Sequence, residues 1–509
     1  MATIASSLAQ ASSLWDLLSG PPAESTAIIL PETGTRVTYA KLREQIQEMA
    51  DTLAALGIQP GDRVATSLTN GLPAIVSFVA ASMAGTAAPL NPGYRQEEVN
   101  FYLEDTSAKL LLAPAEGMDD ARKAAEERKV PVYTLEMDAT GYVRIAGASP
   151  NGKKAAAPDP EAIALVLHTS GSTGRPKRVP IKHRNMAASA RNIVATYNLS
   201  TEDTALCVMP LFHVHGLVAS TISTLASGGQ LVVPAKFNAL SFWRTVRDNN
   251  VTWYSAVPTI HSMLLSRAGD TRPEGSESLR FIRSCSAALP AEMMAKMETV
   301  FGAPVLEAYG MTEASHQMAS NPRPPQSHKG GSVGPATGIQ IGIMTDGKLL
   351  PQGERGEVVI KGPNVVDGYE NNPEANATSY VDGWFRTGDQ GYLDEEGYLF
   401  LTGRLKEMIN RGGEKIGPRE IDEALLLHPA INEAIAFGVP HKSWGEEVAA
   451  AVTLKEGATA TEAEILAFCK ERLADFKRPK KIYIVDAIPR TATGKIARGA
   501  VAKALAGGE

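Results

Sequence analysis

A loop rich in hydroxyl groups and glycines is the segment of this sequence with the clearest chemical character. It spans residues 168–177 (HTSGSTGRPK) and directly follows the apolar run 163–167. Hydroxyl and backbone N–H groups can donate to phosphate oxygens, glycine permits close approach, and lysine supplies positive charge. The loop therefore predicts a phosphate-binding site. The candidate contact residues are Thr169, Ser170, Gly171, Ser172, Thr173, Gly174 and Lys177.

Two other interpretations of this loop start from the same residue types. The nucleotide loop of P-loop NTPases has the form GxxxxGK[ST], and the sequence contains no such segment; Gly494 and Lys495 are followed by Ile496 instead of a hydroxyl residue. A P-loop NTPase is therefore disfavoured. Taken alone, the loop is also compatible with a flexible Ser/Gly segment on the surface.

Composition excludes several classes of protein. The chain has 509 residues, more than one domain usually holds, and its 44% hydrophobic and 21% charged residues are typical of globular proteins. A formal net charge of −6 offers no excess of positive charge for nucleic acid or an anionic membrane. Three widely spaced cysteines fit neither a disulfide framework nor a zinc site. With no secretory, transit, transmembrane or peroxisomal signal seen, we expect a cytoplasmic protein.

The order of sequence patterns predicts the fold class. Helical patterns such as 39–56 alternate with short apolar runs such as 110–112, which is typical of strands joined by helices. The uncharged stretch 64–94 is broken by Gly and Pro and predicts a buried helix. Beyond residue 338, short strands separated by Gly and Asp turns predict a β-rich subdomain. We predict an α/β protein with a large N-terminal domain that includes this subdomain, followed by a small α+β C-terminal domain beyond Gly403.

Several further motifs support the phosphate-binding interpretation of the loop. They are YGMTE (309–313), TGD (387–389), GRLKEMI (403–409), GGEKI (412–416) and PRTATGKI (489–496). Together with the loop, and in this order, they resemble the adenylate-forming superfamily of acyl-CoA synthetases, luciferases and peptide-synthetase adenylation domains. The segments PLFHVHG (210–216), RSCSA (283–287) and TEASH (312–316) are similar to those of plant and fungal oxalate:CoA ligases.

The resemblance implies a reaction in two steps. A carboxylate attacks the α-phosphate of ATP to give an acyl-adenylate, and the thiol of CoA then displaces AMP. The attacking carboxylate is already ionised, so positioning and electrostatic stabilisation are what catalysis requires. The resemblance assigns the bridging lysine to Lys495, an α-phosphate contact to Thr312, a Mg²⁺ carboxylate to Glu313 and a catalytic role to His213.

The same resemblance implies the other nucleotide and CoA contacts. Tyr309 would stack on adenine, beside Gly310 and Met311. Asp389 would accept the ribose hydroxyls, and Arg404 would make a forked contact to the ribose or phosphate. The resemblance also implies an N-terminal domain of αβαβα-type layers plus the β-rich subdomain (1–403) and a small mobile α+β C-terminal domain (404–509). Lys406 would be the hinge about which this domain rotates between the two steps. Gly412 and Gly413 would then lie beside the pantetheine arm of CoA.

The acid substrate is expected to be small and polar. The segments that match the acyl pocket of the family bring His213, His215, Ser286 and His316, and histidines beside an anion tend to stay protonated. Oxalate is therefore favoured, while malonate, 4-coumarate and medium-chain fatty acids remain open. An acyl acceptor other than CoA, or a catalytically silent binding protein, is a further alternative. We expect a monomer or weak homo-oligomer.

Arg178 departs from the pattern of the family, which usually has glycine after the lysine of the loop. If this position requires a positive φ, arginine would carry strain of about 1 kcal/mol or more. The six histidines outside the pocket segments are expected to be structural: His168, His183, His261, His328, His428 and His441.

Overall fold

The computed structural model describes residues 2–169, 176–412, 414–490 and 498–506. Its helices are α1 Ala2–Gln10, α2 Leu14–Ser19, α3 Tyr39–Ala55, α4 Leu72–Ala84, α5 Gln96–Thr106, α6 Asp119–Glu127, α7 His183–Tyr197, α8 Ser223–Ala226, α9 Phe242–Asp248, α10 Pro258–Ala268, α11 Ala291–Phe301, α12 Pro373–Ser379, α13 Pro418–Leu426, α14 Glu462–Lys470 and α15 Arg498–Ala506. Short 3-10 turns cover Ser276–Ser278, Thr312–Ala314, Leu405–Glu407 and Asp475–Lys477.

The strands follow in chain order. They are β1 Thr26–Leu30, β2 Thr35–Thr38, β3 Arg63–Ser67, β4 Thr86–Leu90, β5 Leu110–Pro114, β6 Val132–Met137, β7 Val143–Ile145, β8 Ile163–Thr169, β9 Lys177–Lys182, β10 Thr204–Cys207, β11 Gln230–Val232, β12 Trp253–Ala256, β13 Phe281–Ser284, β14 Val305–Met311, β15 His316–Ser320, β16 Gln340–Thr345, β17 Lys348–Leu349, β18 Gly356–Lys361, β19 Tyr380–Val381, β20 Trp384–Leu393, β21 Leu399–Arg404, β22 Ile409–Arg411, β23 Glu414–Ile416, β24 Ile431–His441, β25 Gly445–Leu454 and β26 Lys481–Ile484.

The chain forms two compact units. The first comprises Met1–Gln340 and Lys361–Gly383, and the second comprises Ile341–Ile360 and Trp384–Glu509. The division of the chain at residues 403 and 404 stays a prediction.

Two largely parallel sheets build the first unit. One has the strand order β15-β14-β13-β12-β10-β11-β1-β2, and the other has the order β7-β6-β5-β3-β4-β8-β9. Parallel neighbours need a crossover, and helices such as α4, between β3 and β4, provide it. The predicted helix at 39–56 and strand at 110–112 are present as α3 and β5. The α/β prediction is confirmed.

The uncharged stretch 64–94 contains a buried helix, as predicted, but also a strand on either side of it. Helix α4 has 12 of its 13 residues buried, and the flanking strands β3 and β4 pair in parallel. An apolar helix packed in this way needs no membrane. No helix in the described ranges is both long and apolar enough to cross one.

A π-helix, His215–Ile222, crosses the interior of the first unit, and all eight of its residues are buried. Its second residue, Gly216, lies close to the preceding backbone: a Cβ there would come within 2.2 Å of the Pro210 carbonyl oxygen. This position therefore requires glycine. His215 is the first residue of the π-helix, so the position of this helix determines the position of the His215 side chain.

The second unit contains two smaller sheets. In one, β17, β16, β18 and β20 are successive neighbours and β21 pairs with β20; in the other the order is β23-β22-β25-β24, with β26 beside β25. The core of the second sheet is aliphatic: Val448 and Val452 of β25 belong to the same buried cluster as Ile421 of α13 and Ile465 of α14. Thr461 forms a capping box with Glu464 at the start of α14, which explains why the helix begins there.

Candidate functional site

Three neighbouring parallel strands bring the sequence motifs to one edge of a sheet. Strands β12, β13 and β14 are parallel neighbours, so their carboxyl ends meet at the same edge, where α/β proteins commonly bind ligands. Tyr309, Gly310 and Met311 end β14, and Ser286 follows β13 by two residues. Strand β15 then returns antiparallel and pairs His316 with Met311. The nucleotide motif and the acid pocket residues are therefore adjacent.

Three of the four predicted acid-binding residues meet in one cluster. The Nδ1 atom of His215 is 3.0 Å from Ser286 Oγ, and the His215 and His316 rings have centroids 5.1 Å apart. The two histidines are 3% and 2% exposed. His213 lies two residues before His215, ahead of the π-helix, and is only partly buried, as is Ser286. The cluster is polar and largely enclosed, as the sequence indicated for a small polar acid.

Two members of this cluster have unusual backbone conformations. Ser286 has φ 73° and His316 has φ 112°, values that side chains other than glycine rarely adopt. The facing residue is Gly310, where a Cβ would come within 2.2 Å of the His316 carbonyl oxygen. Non-glycine residues at such φ values are maintained by surrounding structure and concentrate at functional sites.

The predicted phosphate contacts Thr312 and Glu313 directly follow β14, in the turn that leads to β15. Thr312 and Glu313 form a buried 3-10 turn, and Glu313 Oε1 accepts a hydrogen bond from the Tyr369 hydroxyl at 2.8 Å. Lys177 Nζ lies 4.5 Å from the centroid of the same Tyr369 ring. Burial, followed by the charge of Glu313, raises the pKa of Tyr369, so its hydroxyl remains a donor. Tyr369 thus connects the loop lysine to the proposed metal carboxylate.

Tyr369 was not predicted as a site residue from the sequence. It follows Gly368, which has φ 154°, and it lies 56 residues beyond its partner Glu313. A tyrosine after a glycine in a polar segment was a weak signal, and its contact with Glu313 depends on folding.

Glu313 is suited to a magnesium ion. Mg²⁺ usually takes one or two protein carboxylates and completes its octahedron with substrate phosphates and water. A single buried carboxylate, 5% exposed and oriented by Tyr369, fits that demand. When bound, the ion would neutralise phosphate charge.

Arg178 carries no such strain, because the condition for it, a positive φ at this position, is not met. Arg178 lies in the regular strand β9, opposite His168, and is not among the residues with positive φ. Its side chain is held by acids: Nε is 3.2 Å from Asp105 Oδ2, and Nη1 is 3.6 Å from Glu370 Oε2. Asp105 also contacts His168 Nε2 at 3.0 Å. Arg178 therefore anchors strand β9, which follows the predicted phosphate loop in the sequence.

Two other histidines have structural positions, as expected. His183 Nε2 meets the Ser82 carbonyl oxygen at 2.9 Å, and its Nδ1 accepts from Leu14 N–H at 3.4 Å. Burial lowers the pKa of His183 to about 4 and that of His261 to about 3. Both rings are therefore neutral parts of the interior at pH 7.

The second unit holds the predicted ribose residues as a cross-strand pair. Asp389 on β20 and Arg404 on β21 are opposite one another, and Arg404 Nε donates to Asp389 Oδ1 at 3.1 Å. The Asp389 residue is 8% exposed, whereas the Arg404 side chain is 65% exposed. Lys406 lies exposed in the 3-10 turn that follows. Gly412, with φ 61°, lies where a Cβ would come within 2.7 Å of the Trp444 ring.

Several predicted site residues lie outside the described ranges. They are Ser170, Gly171, Ser172, Thr173 and Gly174 of the phosphate loop, Gly413 and Lys495.

The comparisons with known proteins define the class first. Residues 18–370 match the family described as AMP-binding enzyme, and residues 420–495 match the AMP-binding enzyme C-terminal domain. The chain belongs to the AMP-binding enzyme family, which confirms the resemblance to adenylate-forming enzymes.

Individual relatives are similar over almost the whole chain. An oxalate–CoA ligase of Arabidopsis thaliana is 47% identical over 478 residues, covering 92% of this chain and 93% of the relative. An oxalate–CoA ligase of Saccharomyces cerevisiae is 43% identical over 520 residues, 95% of each. The crystal structure of ATP-bound MatB from Rhodopseudomonas palustris superposes with a TM-score of 0.89 at 31% identity, covering 97% of this chain and 99% of that one.

Proposed function

We propose that this protein is an ATP-dependent oxalate:CoA ligase, which converts oxalate, ATP and CoA into oxalyl-CoA, AMP and diphosphate. It is an AMP-forming acid–thiol ligase that works through an acyl-adenylate. ATP and CoA are its co-substrates, and Mg²⁺ accompanies the nucleotide. The named activities of the plant and yeast relatives support the choice of acid.

The cluster of His215, Ser286 and His316 is the observation that carries the proposal. A second carboxylate is costly to bury unless donors or cations meet it, and this cluster offers imidazole and hydroxyl groups within one pocket. An extended apolar acid such as 4-coumarate offers no polar atoms to these groups, whereas a second carboxylate can accept hydrogen bonds from them. A pocket built to hydrogen-bond a polar substrate discriminates strongly against an analogue that lacks the polar group.

Each step of the proposed chemistry has residues assigned to it. His213, His215, Ser286 and His316 hold the acid so that one carboxylate oxygen faces the α-phosphate. Thr312 and Lys495 stabilise the charge that develops on the phosphate. The loop from Thr169 to Lys177 holds the outer phosphates, and Glu313 is the carboxylate for Mg²⁺. Since the attacking oxygen is already ionised, no general base is assigned.

The transfer step is assigned to the C-terminal part of the chain. Residues 404–509 would rotate about Lys406 as a mobile domain against residues 1–403. This rotation would move the adenylation residue Lys495 away and bring Gly412 and Gly413 beside the pantetheine arm of CoA. Exposed residues at the end of an element are typical of hinges, because they change φ and ψ without disturbing a core.

A steady-state substrate panel tests the proposed acid. Oxalate, malonate, acetate, 4-coumarate and a medium-chain fatty acid would each be assayed for AMP formation with and without CoA. We expect the highest kcat/KM with oxalate. A difference of one methylene group changes kcat/KM by only about 10- to 200-fold, so we expect malonate to be the strongest competitor. Preference for 4-coumarate or the fatty acid would contradict the polar pocket, and AMP formation with no acid would contradict the class of reaction.

The setting of the reaction is proposed as well. The enzyme would act in the cytoplasm as a monomer or weak homo-oligomer, without a nucleic acid or membrane partner. Cell fractionation and light scattering of the purified chain test these two points directly. A protein recovered in the membrane fraction, or a tight higher oligomer, would contradict them.

A further inference from the structure

A fully buried guanidinium group lies directly behind the acid pocket. Arg283, on β13, is 0% exposed, and its Nε donates to the Tyr197 hydroxyl at 2.9 Å. Nη1 donates to Ser255 Oγ at 3.0 Å, and Nη2 donates to Gln317 Oε1 at 3.0 Å. Nη2 also points to His316 Nδ1 at 3.4 Å. None of these partners is a carboxylate.

The charge of Arg283 is not balanced by an acid within the part of the chain that the structure describes, where no carboxylate lies at ion-pair distance from it. The partly buried Arg498 of the second unit shows the usual arrangement, with Asp422 at 2.7 Å and Glu407 at 3.0 Å. A buried charge is costly unless it is paired. The first unit thus retains a positive charge behind a pocket that is proposed to receive a dianion.

We propose that Arg283 is a positioning residue that orients the donors for the distal carboxylate of the substrate. A guanidinium group can only donate hydrogen bonds, so each neighbouring atom that it contacts must act as an acceptor. Ser255 Oγ accepts a hydrogen bond from Arg283 Nη1. This bond polarises the Ser255 hydroxyl group, which donates to His215 Nε2 at 2.6 Å. The proton of His215 is then on Nδ1 and is donated to Ser286 Oγ at 3.0 Å. The hydroxyl proton of Ser286 is left to bind the substrate.

A second branch acts on the other side of the pocket. His316 Nδ1 accepts from Arg283 Nη2, so the ring proton of His316 resides on Nε2 and this atom becomes a donor. The positive φ values of Ser286 and His316 hold these two donors in place. In this arrangement each histidine uses one ring nitrogen as an acceptor, and the positive charge behind the pocket is that of Arg283. From the sequence, the histidines themselves were expected to carry it.

The inference rests on the proposed function and narrows its substrate class. A small acid with a second carboxylate would be stabilised by hydrogen bonds from the oriented donors and by the positive charge of Arg283 behind them. Glyoxylate is nearly the same size as oxalate, but in place of the second carboxylate it has an aldehyde, hydrated in water, which carries no charge, so it gains little from the charge of Arg283. Arg283 should therefore control selection between these two acids, while the binding of ATP is unaffected.

The test compares two arginines in the same region. Arg283→Lys keeps the charge but loses the fork, and Arg280→Lys makes the same change at a residue that pairs with Asp203 instead. The oxalate KM, the ATP KM and the inhibition constant of glyoxylate are measured for each. We expect Arg283→Lys to raise the oxalate KM about tenfold or more, with the other two constants changed by less than about threefold. Arg280→Lys should leave all three unchanged.

A milder variant covers the case in which Arg283→Lys does not fold. Ser255→Ala interrupts the first branch without disturbing a charge, and it should raise the oxalate KM about three- to tenfold while a thermal melt shows an intact fold. Equal effects on oxalate and glyoxylate, or a matching rise in the ATP KM, would show a purely structural role and overturn the inference. Failure of the wild-type protein to use oxalate would instead overturn the proposed function.

Discussion

The proposed acid pocket of the first unit and the proposed hinge segment around Lys406 in the second unit are built in opposite ways. The pocket histidines His215 and His316 are almost fully buried, and side-chain hydrogen bonds connect the pocket, as between His215 and Ser286. In the hinge segment, Arg404 and Lys406 are exposed at a short turn. Choosing between similar acids requires atoms held within fractions of an ångström, whereas a hinge requires few packed contacts. From this difference we expect substitutions in the pocket to alter selectivity between acids and substitutions in the hinge segment to alter turnover.

The largest expected effect is at Glu313, on the rigid side of this comparison. Glu313→Gln keeps the shape and the acceptor for Tyr369 but removes the charge proposed to hold Mg²⁺. Acid-dependent ATP–diphosphate exchange should fall by about 100- to 1000-fold. Glu354→Gln, at an exposed position, is the control and should retain full exchange. A fall of less than about threefold in Glu313→Gln would remove this residue from the adenylation step.

The hinge is tested by a change that acts on the backbone alone. Lys406→Pro restricts φ, so diphosphate release in the first turnover should remain normal while oxalyl-CoA formation falls by about 100-fold. Lys406→Ala removes the same side chain but leaves φ free, and it should retain both half-reactions. Equal loss of both half-reactions in the proline variant would show that the segment supports adenylation itself and does not act as a hinge.

A smaller effect concerns the acid sensitivity of the first unit. The folded pKa of His261, about 3, lies below the usual value near 6.5, so the unfolded chain binds a proton first as the pH falls. The free energy of unfolding should therefore decrease below about pH 6.5, by about 2 kcal/mol for this residue at pH 5. His183, with a pKa of about 4, adds to the same trend.

His261→Phe isolates this contribution. Urea unfolding followed by tryptophan fluorescence at pH 7 and pH 5 should show a smaller loss of stability in the variant than in the wild type. Leu264→Met, on the same helix, controls for repacking and should keep the wild-type pH dependence. An unchanged difference between the two pH values in His261→Phe would show that His261 is protonated in the folded protein.

The candidate site residues could be proposed from the sequence because they lie in short segments. Residues 309–313 and 312–316 each contain their functional groups within five positions, so the resemblance to adenylate-forming enzymes could assign them a phosphate contact and a polar pocket. The alternation of helices and apolar runs likewise predicted the α/β fold, because parallel strands require crossovers.

The contacts that hold these groups could not be predicted in the same way. Tyr369 meets Glu313 across 56 residues of chain, and Arg178 meets Asp105 across 73. Arg283 lies within one of the motif segments, yet its importance depends on complete burial and on the absence of an acidic partner in the described ranges. Neither property is visible from residue type. For Arg178 the sequence made strain conditional on a positive φ, and the structure shows a regular strand position with tertiary ion pairs.

The π-helix at His215–Ile222 has a consequence for how the substrate range of such an enzyme could change. A π-turn holds one residue more than an α-turn, and it can close into an α-helix when one residue is removed. Each residue of an α-helix turns the chain by about 100°, so a one-codon deletion after Gly216 would rotate the start of the segment, with His215, relative to the helix that follows. Natural variation in length here would then change acid selectivity without replacing a single residue that touches the acid.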